Sequence, residues 1–123
     1  MTGVQHVGWF DMPVRNLERC IAFYSEVVGW RCKQEFPGMA VFEHRDSVIG
    51  GCLYVSEDVK PSADGALLYF SVDGRHDEAE SMVAELGGQV LMPKHAIGPF
   101  GFRSVVLDPD GNRIALHSEE EAA

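Results

Sequence analysis

A chain of 123 residues has the length of one domain, and 46% hydrophobic content is enough to fill a core. Ten basic residues against nineteen acidic ones leave a net charge of −9, a field that repels phosphate backbones and argues against nucleic acid as a partner. No apolar run approaches the ~20 residues of a membrane helix and no leader-like segment opens the chain, so a cytoplasmic protein with no membrane partner is expected.

Residues 4–13, VQHVGWFDMP, read as a strand. Asn16 can cap the helix that follows, because its side-chain oxygen can accept from an unpaired N–H of the first turn. Leu17, Cys20, Ile21, Tyr24, Val27 and Val28 then recur at helical spacing until Gly29 stops the run. Strand-like stretches follow around Arg31–Glu35, Ala40–His44 and Val48–Val55. The polar stretch SEDVKPSADG, with its Pro and Gly, reads as a linker.

The order then repeats. ALLYFSV reads as a strand, and DEAESMVAEL as a helix with Ala79, Met82, Val83 and Leu86 on one face and Gly87 at its end. Strands near Gln89–Met92, Phe102–Leu107 and Arg113–His117 complete the second unit. Val14 and Val72, Gly29 and Gly87, and Trp9 and Leu67 are each 58 positions apart. Only the loop PKHAIGPFG has no counterpart. Two such units, about 4–56 and 65–118, must pair to cover their sheets or enclose a ligand. Cys20, Cys32 and Cys52 are odd in number with no CxxC pair, which fits reduced thiols and no structural zinc.

Three segments carry a resemblance: FDMPVRNLERCIAFYSEVVGW, YFSVD and GGQVLMPKHAIGPFGFRSVVLDPDGNRIALHS. Together with the doubled unit they resemble the vicinal oxygen chelate superfamily of glyoxalase I, extradiol dioxygenases, and fosfomycin- and bleomycin-resistance proteins. The resemblance implies an α+β fold: two βαβββ modules forming a curled eight-stranded mixed sheet around a cleft, with helices outside. It also implies a homodimer, in which units are sometimes exchanged between chains. Metal-using relatives hold a divalent ion on the first strand of each unit, on the final strand and on the first unit's last strand. Those places fall here on Trp9, Leu67, Ala115 and the region Gly50 to Cys52. None of these is a usual ligand for a hard divalent ion, which takes oxygen or imidazole, so neither metal nor other cofactor is expected.

Strand alternation places other side chains on the same face as these positions. Val7 and Asp11 accompany Trp9, and Tyr69 and Ser71 accompany Leu67. Arg113 and His117 accompany Ala115, with Arg103, Val105 and Leu107 on the partner strand. The extra loop adds Lys94, His95 and Phe100 at the mouth. The expected cleft has Trp9, Leu67 and Ala115 as floor and Asp11, Tyr69, Arg103 and His117 around it, a setting for a small organic molecule. His117 with Asp11 can form an acid–base pair, or His117 can merely satisfy a carbonyl. Asp11 can equally pair with Arg103. Trp9 is either a ligand platform or a plug in the vacated metal space. His76 reads as solvated and His6 as packed under the first helix. His44, His95 and His117 could join in an unorthodox metal site.

Three functions remain open at this level: a metal-independent lyase- or isomerase-type enzyme, a non-catalytic binding or resistance protein, and a metal-dependent lyase or dioxygenase.

Overall fold

The computed structural model describes residues 6–44 and 49–120. The expected beginnings of two strands, at residues 4–5 and at Val48, lie outside them. The first unit contains β1 (Trp9–Val14), α1 (Leu17–Phe23) with a π-helical extension (Tyr24–Val28), β2 (Cys32–Phe36), β3 (Met39–Phe42) and β4 (Gly50–Val55). The second contains β5 (Leu68–Ser71), α2 (His76–Met82), β6 (Gln89–Ala96), a 3-10 turn (Gly98–Phe100), β7 (Phe102–Leu107) and β8 (Arg113–Ser118). No helix among the described residues is long and apolar enough to cross a membrane.

The start of α1 forms as its sequence requires. Asn16 adopts an extended conformation and its side chain accepts from the N–H of Arg19, and Gly29 ends the helix at φ 78°. The second unit's extra segment behaves differently from a plain loop. Pro93 to Ala96 continue β6, because two bulges, between Val90 and Met92 and between Met92 and His95, absorb the additional residues. Only residues 97–101 leave the sheet.

The α+β class and the two βαβββ units stand as expected. The eight strands, however, form two four-stranded mixed sheets that are not closed into one, ordered β1-β4-β3-β2 and β5-β8-β7-β6. In each, the unit's first and last strands pair in parallel. One core spans both units: Met12, Val14, Phe23, Tyr24, Phe42 and Leu53 pack in the same cluster as Phe70, Val72, Val83, Val106, Ile114 and Leu116.

The aromatic contacts decide how the sheets meet. Phe42 lies on β3, two strands in from β1, yet its ring centroid is 6.2 Å from that of Phe70 on β5. Neighbouring strands lie ~4.8 Å apart, so sheets joined edge to edge through β1 and β5 would hold β3 about 14 Å from β5. The sheets therefore pack with their helix-covered faces toward each other. Tyr24, 5.6 Å from Phe70 and 5.7 Å from Phe42, fills the space between. The two open faces consequently point away from one another.

The Asp-Pro-Asp-Gly-Asn turn between β7 and β8 fastens the units together. Asp110 Oδ2 accepts from the backbone N–H groups of Arg15 (2.6 Å) and Asn16 (2.8 Å), and Oδ1 from the Arg19 guanidinium. Burial pushes this carboxyl up, but those N–H donors outweigh it and hold Asp110 below the ordinary value of 3.8. Asp108 accepts from Tyr24 Oη at 2.7 Å and from the Asn112 side chain, which also donates to the Pro13 carbonyl. The motif's carboxylates are thus committed to holding the β1–α1 junction. Ser62 of the linker bonds Asn112 and Arg113, laying that segment along the start of β8.

Candidate functional site

On the open face of the first sheet, Trp9 stands opposite Gly50 and Asp11 opposite Cys52. The indole lies across Gly50, where a Cβ would stand 2.5 Å from its ring. Trp9 Nε1 donates to Asp11 Oδ1 at 2.9 Å, and the Cys52 thiol donates to the same oxygen at 3.1 Å. Burial, followed by the bond to Asp11 and that carboxylate's charge, pushes the Cys52 thiol up to about 12. Burial likewise raises Cys32, to about 12, and Cys20 further still, so none of the three thiols is a nucleophile at neutral pH.

On the second sheet, β8 is flanked by β5 and β7, which sets two rows across the open face. Tyr69, Ala115 and Val105 form one, and Ser71, His117 and Arg103 the other. Tyr69 and Arg103 reach over β8 to each other, Arg103 Nη1 donating to Tyr69 Oη at 2.8 Å. Arg103 Nε donates to His95 Nε2 at 3.2 Å, while His95 Nδ1 donates to the Pro93 carbonyl at 2.8 Å. Both nitrogens of His95 are therefore used in orienting Arg103. His117 Nε2 donates to the Phe100 carbonyl at 2.6 Å, and its ring meets Tyr69 edge-on at 6.0 Å between centroids. Tyr69, Ile97, Phe100 and His117 line a recess of about 400 Å³, with Phe100 71% exposed at its rim.

The structure thus brings Tyr69, Arg103, His95, His117 and Phe100 together, and separately Trp9, Asp11 and Cys52. It does not join the two groups within one chain. The expected Asp11–His117 and Asp11–Arg103 pairs are not made, because β1 and β8 belong to sheets whose open faces point apart. Ala115 and Val105, expected to line the ligand site, are 0% and 4% exposed, closed in beneath the Tyr69–Arg103 bridge that crosses their strand. They support the site and present almost no surface. Leu67 is half-buried just before β5, and Val7 precedes β1 and is exposed.

Two other histidines also differ from expectation. His6 is exposed before β1 and packs under no helix. His76 is 0% exposed: Nδ1 lies 2.7 Å from Ser118 Oγ and Nε2 2.8 Å from Ser104 Oγ, which in turn donates to Glu80. Its signal was present in the sequence, since His76, Ala79 and Val83 share one helical face. Among the described residues, no three His, Cys, Asp or Glu groups are placed to hold a metal ion, and His95 serves Arg103 in place of the unorthodox site. The donor set at the relatives' ligand places does not fit a hard divalent ion. Trp9, Leu67 and Ala115 have no oxygen or imidazole to give, and Cys52 offers only sulfur, a soft donor.

Two βαβββ units with one parallel pair each, and polar clusters on the open faces, define the glyoxalase-like class of α+β domains. The chain belongs to the Glyoxalase/Bleomycin resistance protein/Dioxygenase superfamily, whose family model matches residues 3–116. Its fold is similar to that of a glyoxalase-related enzyme from Fulvimarina pelagi, at 20% identity and a TM-score of 0.75, covering 94% of this chain and 88% of that one. It is also similar to a glyoxalase/bleomycin resistance protein/dioxygenase family enzyme from Burkholderia phytofirmans (16% identity, TM-score 0.72, covering 91% and 97%). A third similar structure is the fosfomycin resistance protein FosX from Mesorhizobium loti (18%, 0.68, covering 94% and 93%). No curated protein matches the chain.

Proposed function

We propose that this chain binds a small organic molecule on the open face of its second sheet and acts there as a metal-independent, lyase- or isomerase-type enzyme, with His117 as proton acceptor. The observation that carries this reading is the bond from His117 Nε2 to the Phe100 carbonyl. A carbonyl can only accept, so that nitrogen carries a proton, and in the neutral ring Nδ1 keeps a lone pair with no partner among the described residues. That lone pair belongs to a ring resting against Tyr69, whose hydroxyl accepts from Arg103 and keeps its own proton to donate. A base beside a phenol and a guanidinium can take a proton and stabilise the anion left behind. Metal independence rests on the donor chemistry of Trp9, Leu67 and Ala115. We place the protein in the cytoplasm, a reading its three free thiols suit.

Non-catalytic binding is the second reading, favoured by the half-exposed Trp9 and Tyr69 and the exposed Phe100, which can stack on a planar compound. One measurement separates the two. The compound that co-purifies with the protein is identified by mass spectrometry and offered to wild type and His117→Ala. An enzyme turns it over, and the variant loses about 10²–10⁴-fold in kcat. A binder leaves it unchanged and loses only affinity.

The working form in this proposal is a homodimer. The free edges of the two sheets are unequal. β6 carries Pro93 and two bulges, and β2 carries a bulge with Lys33 and Glu35, all features that discourage pairing. β5 has no bulge, proline or charge, and β1 has no bulge though it carries Asp11 and Pro13; these are the two edges we propose meet a second copy. Such a meeting sets Trp9 and Asp11 of one protomer beside Tyr69 and His117 of its partner, completing the cleft that one chain leaves divided. Light scattering at micromolar concentration should report a dimer; monomer alone refutes this assembly.

A further inference from the structure

Arg103 is held differently from the ion-paired cations of this acidic chain. Arg19 is paired with Asp110, Arg75 with Glu78 and Lys94 with Asp77. Arg103, in a chain with nineteen acidic residues, is held by two neutral groups, the phenol of Tyr69 and the imidazole of His95, with no carboxylate in ion-pair range among the described residues. Neutral partners fix the plane of the guanidinium without cancelling its charge. Of its five N–H donors, one on Nε goes to His95 and one on Nη1 to Tyr69, which leaves three for a guest. Tyr69 adds its own hydroxyl proton. The recess bounded by Tyr69, Ile97, Phe100 and His117 adjoins this cluster through Tyr69 and through the His117–Arg103 pair of neighbouring strands.

We infer that Arg103, positioned by His95 and assisted by Tyr69, is the receptor for the carboxylate of a small organic acid, whose apolar or aromatic body lies against Ile97 and Phe100. This rests on the proposed binding face and names its substrate class. The planar fork matches a carboxylate, which can take two parallel N–H···O bonds at once. The chain's overall charge of −9 disfavours anions at long range, so selectivity must come from this local, uncompensated cation. The positioning role of His95 also explains why its two nitrogens are spent on Pro93 and Arg103.

The test titrates the full-length protein with benzoate at constant ionic strength, using benzamide and benzylammonium as neutral and cationic controls of the same shape and inorganic phosphate as a non-planar anion. The readouts are the Arg103 Nε–Hε signal by NMR and the thermal midpoint. Benzoate is expected to shift both, with at least ~10-fold weaker response from the three controls, the order expected from losing a charge-assisted, bidentate contact. Arg103→Lys should lose most of the benzoate response, because it keeps the charge and loses the fork, and its unliganded melting curve reports whether the fold is intact. Tyr69→Phe should weaken the response less than Arg103→Lys. Absence of a benzoate response in wild type, equal response to phosphate or benzamide, or an undiminished response in a folded Arg103→Lys variant overturns the assignment. Benzoate binding with no activity from wild type would leave the receptor standing and sink the enzyme.

Discussion

The open faces of the two sheets are built on the same backbone plan, yet their polar groups are in opposite conditions. On the first, Asp11 is the single acceptor for both Trp9 and Cys52, and the indole is laid flat on Gly50, so that face is largely satisfied by its own side chains. On the second, Arg103 bonds two neighbours and Tyr69 and His117 one each, and all three retain unused donors or a lone pair. The doubled unit supplies a scaffold with a pseudo-equivalent face on each half. A few different outward-facing residues then leave one face occupied by its own side chains and the other with unused donors.

The comparison holds only if open-face side chains contribute little to stability while their neighbours on the same strand contribute much. Phe70 and Tyr69 test this most sharply, since they are adjacent on β5 and differ in the face they take. Phe70 meets Phe10, Tyr24 and Phe42 across the packed sheets. Phe70→Ala should cost about 3–5 kcal/mol in denaturant unfolding, because it opens a cavity where the units join. Tyr69→Ala should cost under about 1 kcal/mol, as befits an exposed position. Similar losses for the two would mean that the sheets do not pack as described.

The glycines of β4 make the same contrast within two residues. A Cβ on Gly51 would overlap the Phe10 ring, which Trp30, Phe42 and Phe70 hold in place at centroid distances of 5.7–6.4 Å. A Cβ on Gly50 meets the Trp9 ring, which is about half exposed and can move outward. Gly51→Ala should therefore cost about 1–3 kcal/mol by overpacking. Gly50→Ala should fall within about 0.5 kcal/mol of wild type, as a surface change does, but should alter Trp9 fluorescence. An unchanged spectrum would mean that Trp9 does not rest on Gly50.

Much of this was legible beforehand, and the limits were physical. The 58-residue register found Val14 and Val72, and both are buried at matching places in the two units. The Asn16 cap and the Gly29 stop are local chemistry, so short-range sequence suffices to read them. Strand alternation correctly gathered Tyr69, Arg103 and His117 on one face and Trp9 and Asp11 on another. What alternation cannot say is which buried surface covers which, and so the two faces were assembled into one cleft. That choice depends on long-range contacts such as Phe42 with Phe70. The closing of Ala115 beneath a Tyr69–Arg103 bridge was hidden for the same reason. The carboxylates of Asp-Pro-Asp-Gly-Asn read only as a turn because their partners, at Arg15, Asn16, Arg19 and Tyr24, lie 84 to 95 residues away.

A last contrast sets a histidine enclosed by the fold against those left in solvent. His76 lies between α2 and the strands β7 and β8, with Ser104 and Ser118 on its nitrogens and Glu80, Asp77, Lys94 and His117 as the charged or titratable groups around it. Burial, reinforced by Lys94, lowers it below the ordinary value of 6.5 even though Glu80 and Asp77 act in the opposite sense. As pH falls through 6.5 the unfolded chain takes up this proton before the folded one does. The contribution to stability is therefore complete above about pH 6.5 and declines below it, by at most ~1.4 kcal/mol per pH unit, until the folded group also protonates. Denaturant unfolding from pH 7.5 to 5 should show that decline. In His76→Gln, which keeps one donor and one acceptor for Ser104 and Ser118, the wild-type-minus-variant difference should be constant above about pH 6.5 and become smaller as pH falls below it. A difference that is flat across this range would mean that His76 is protonated equally in both states and is not enclosed.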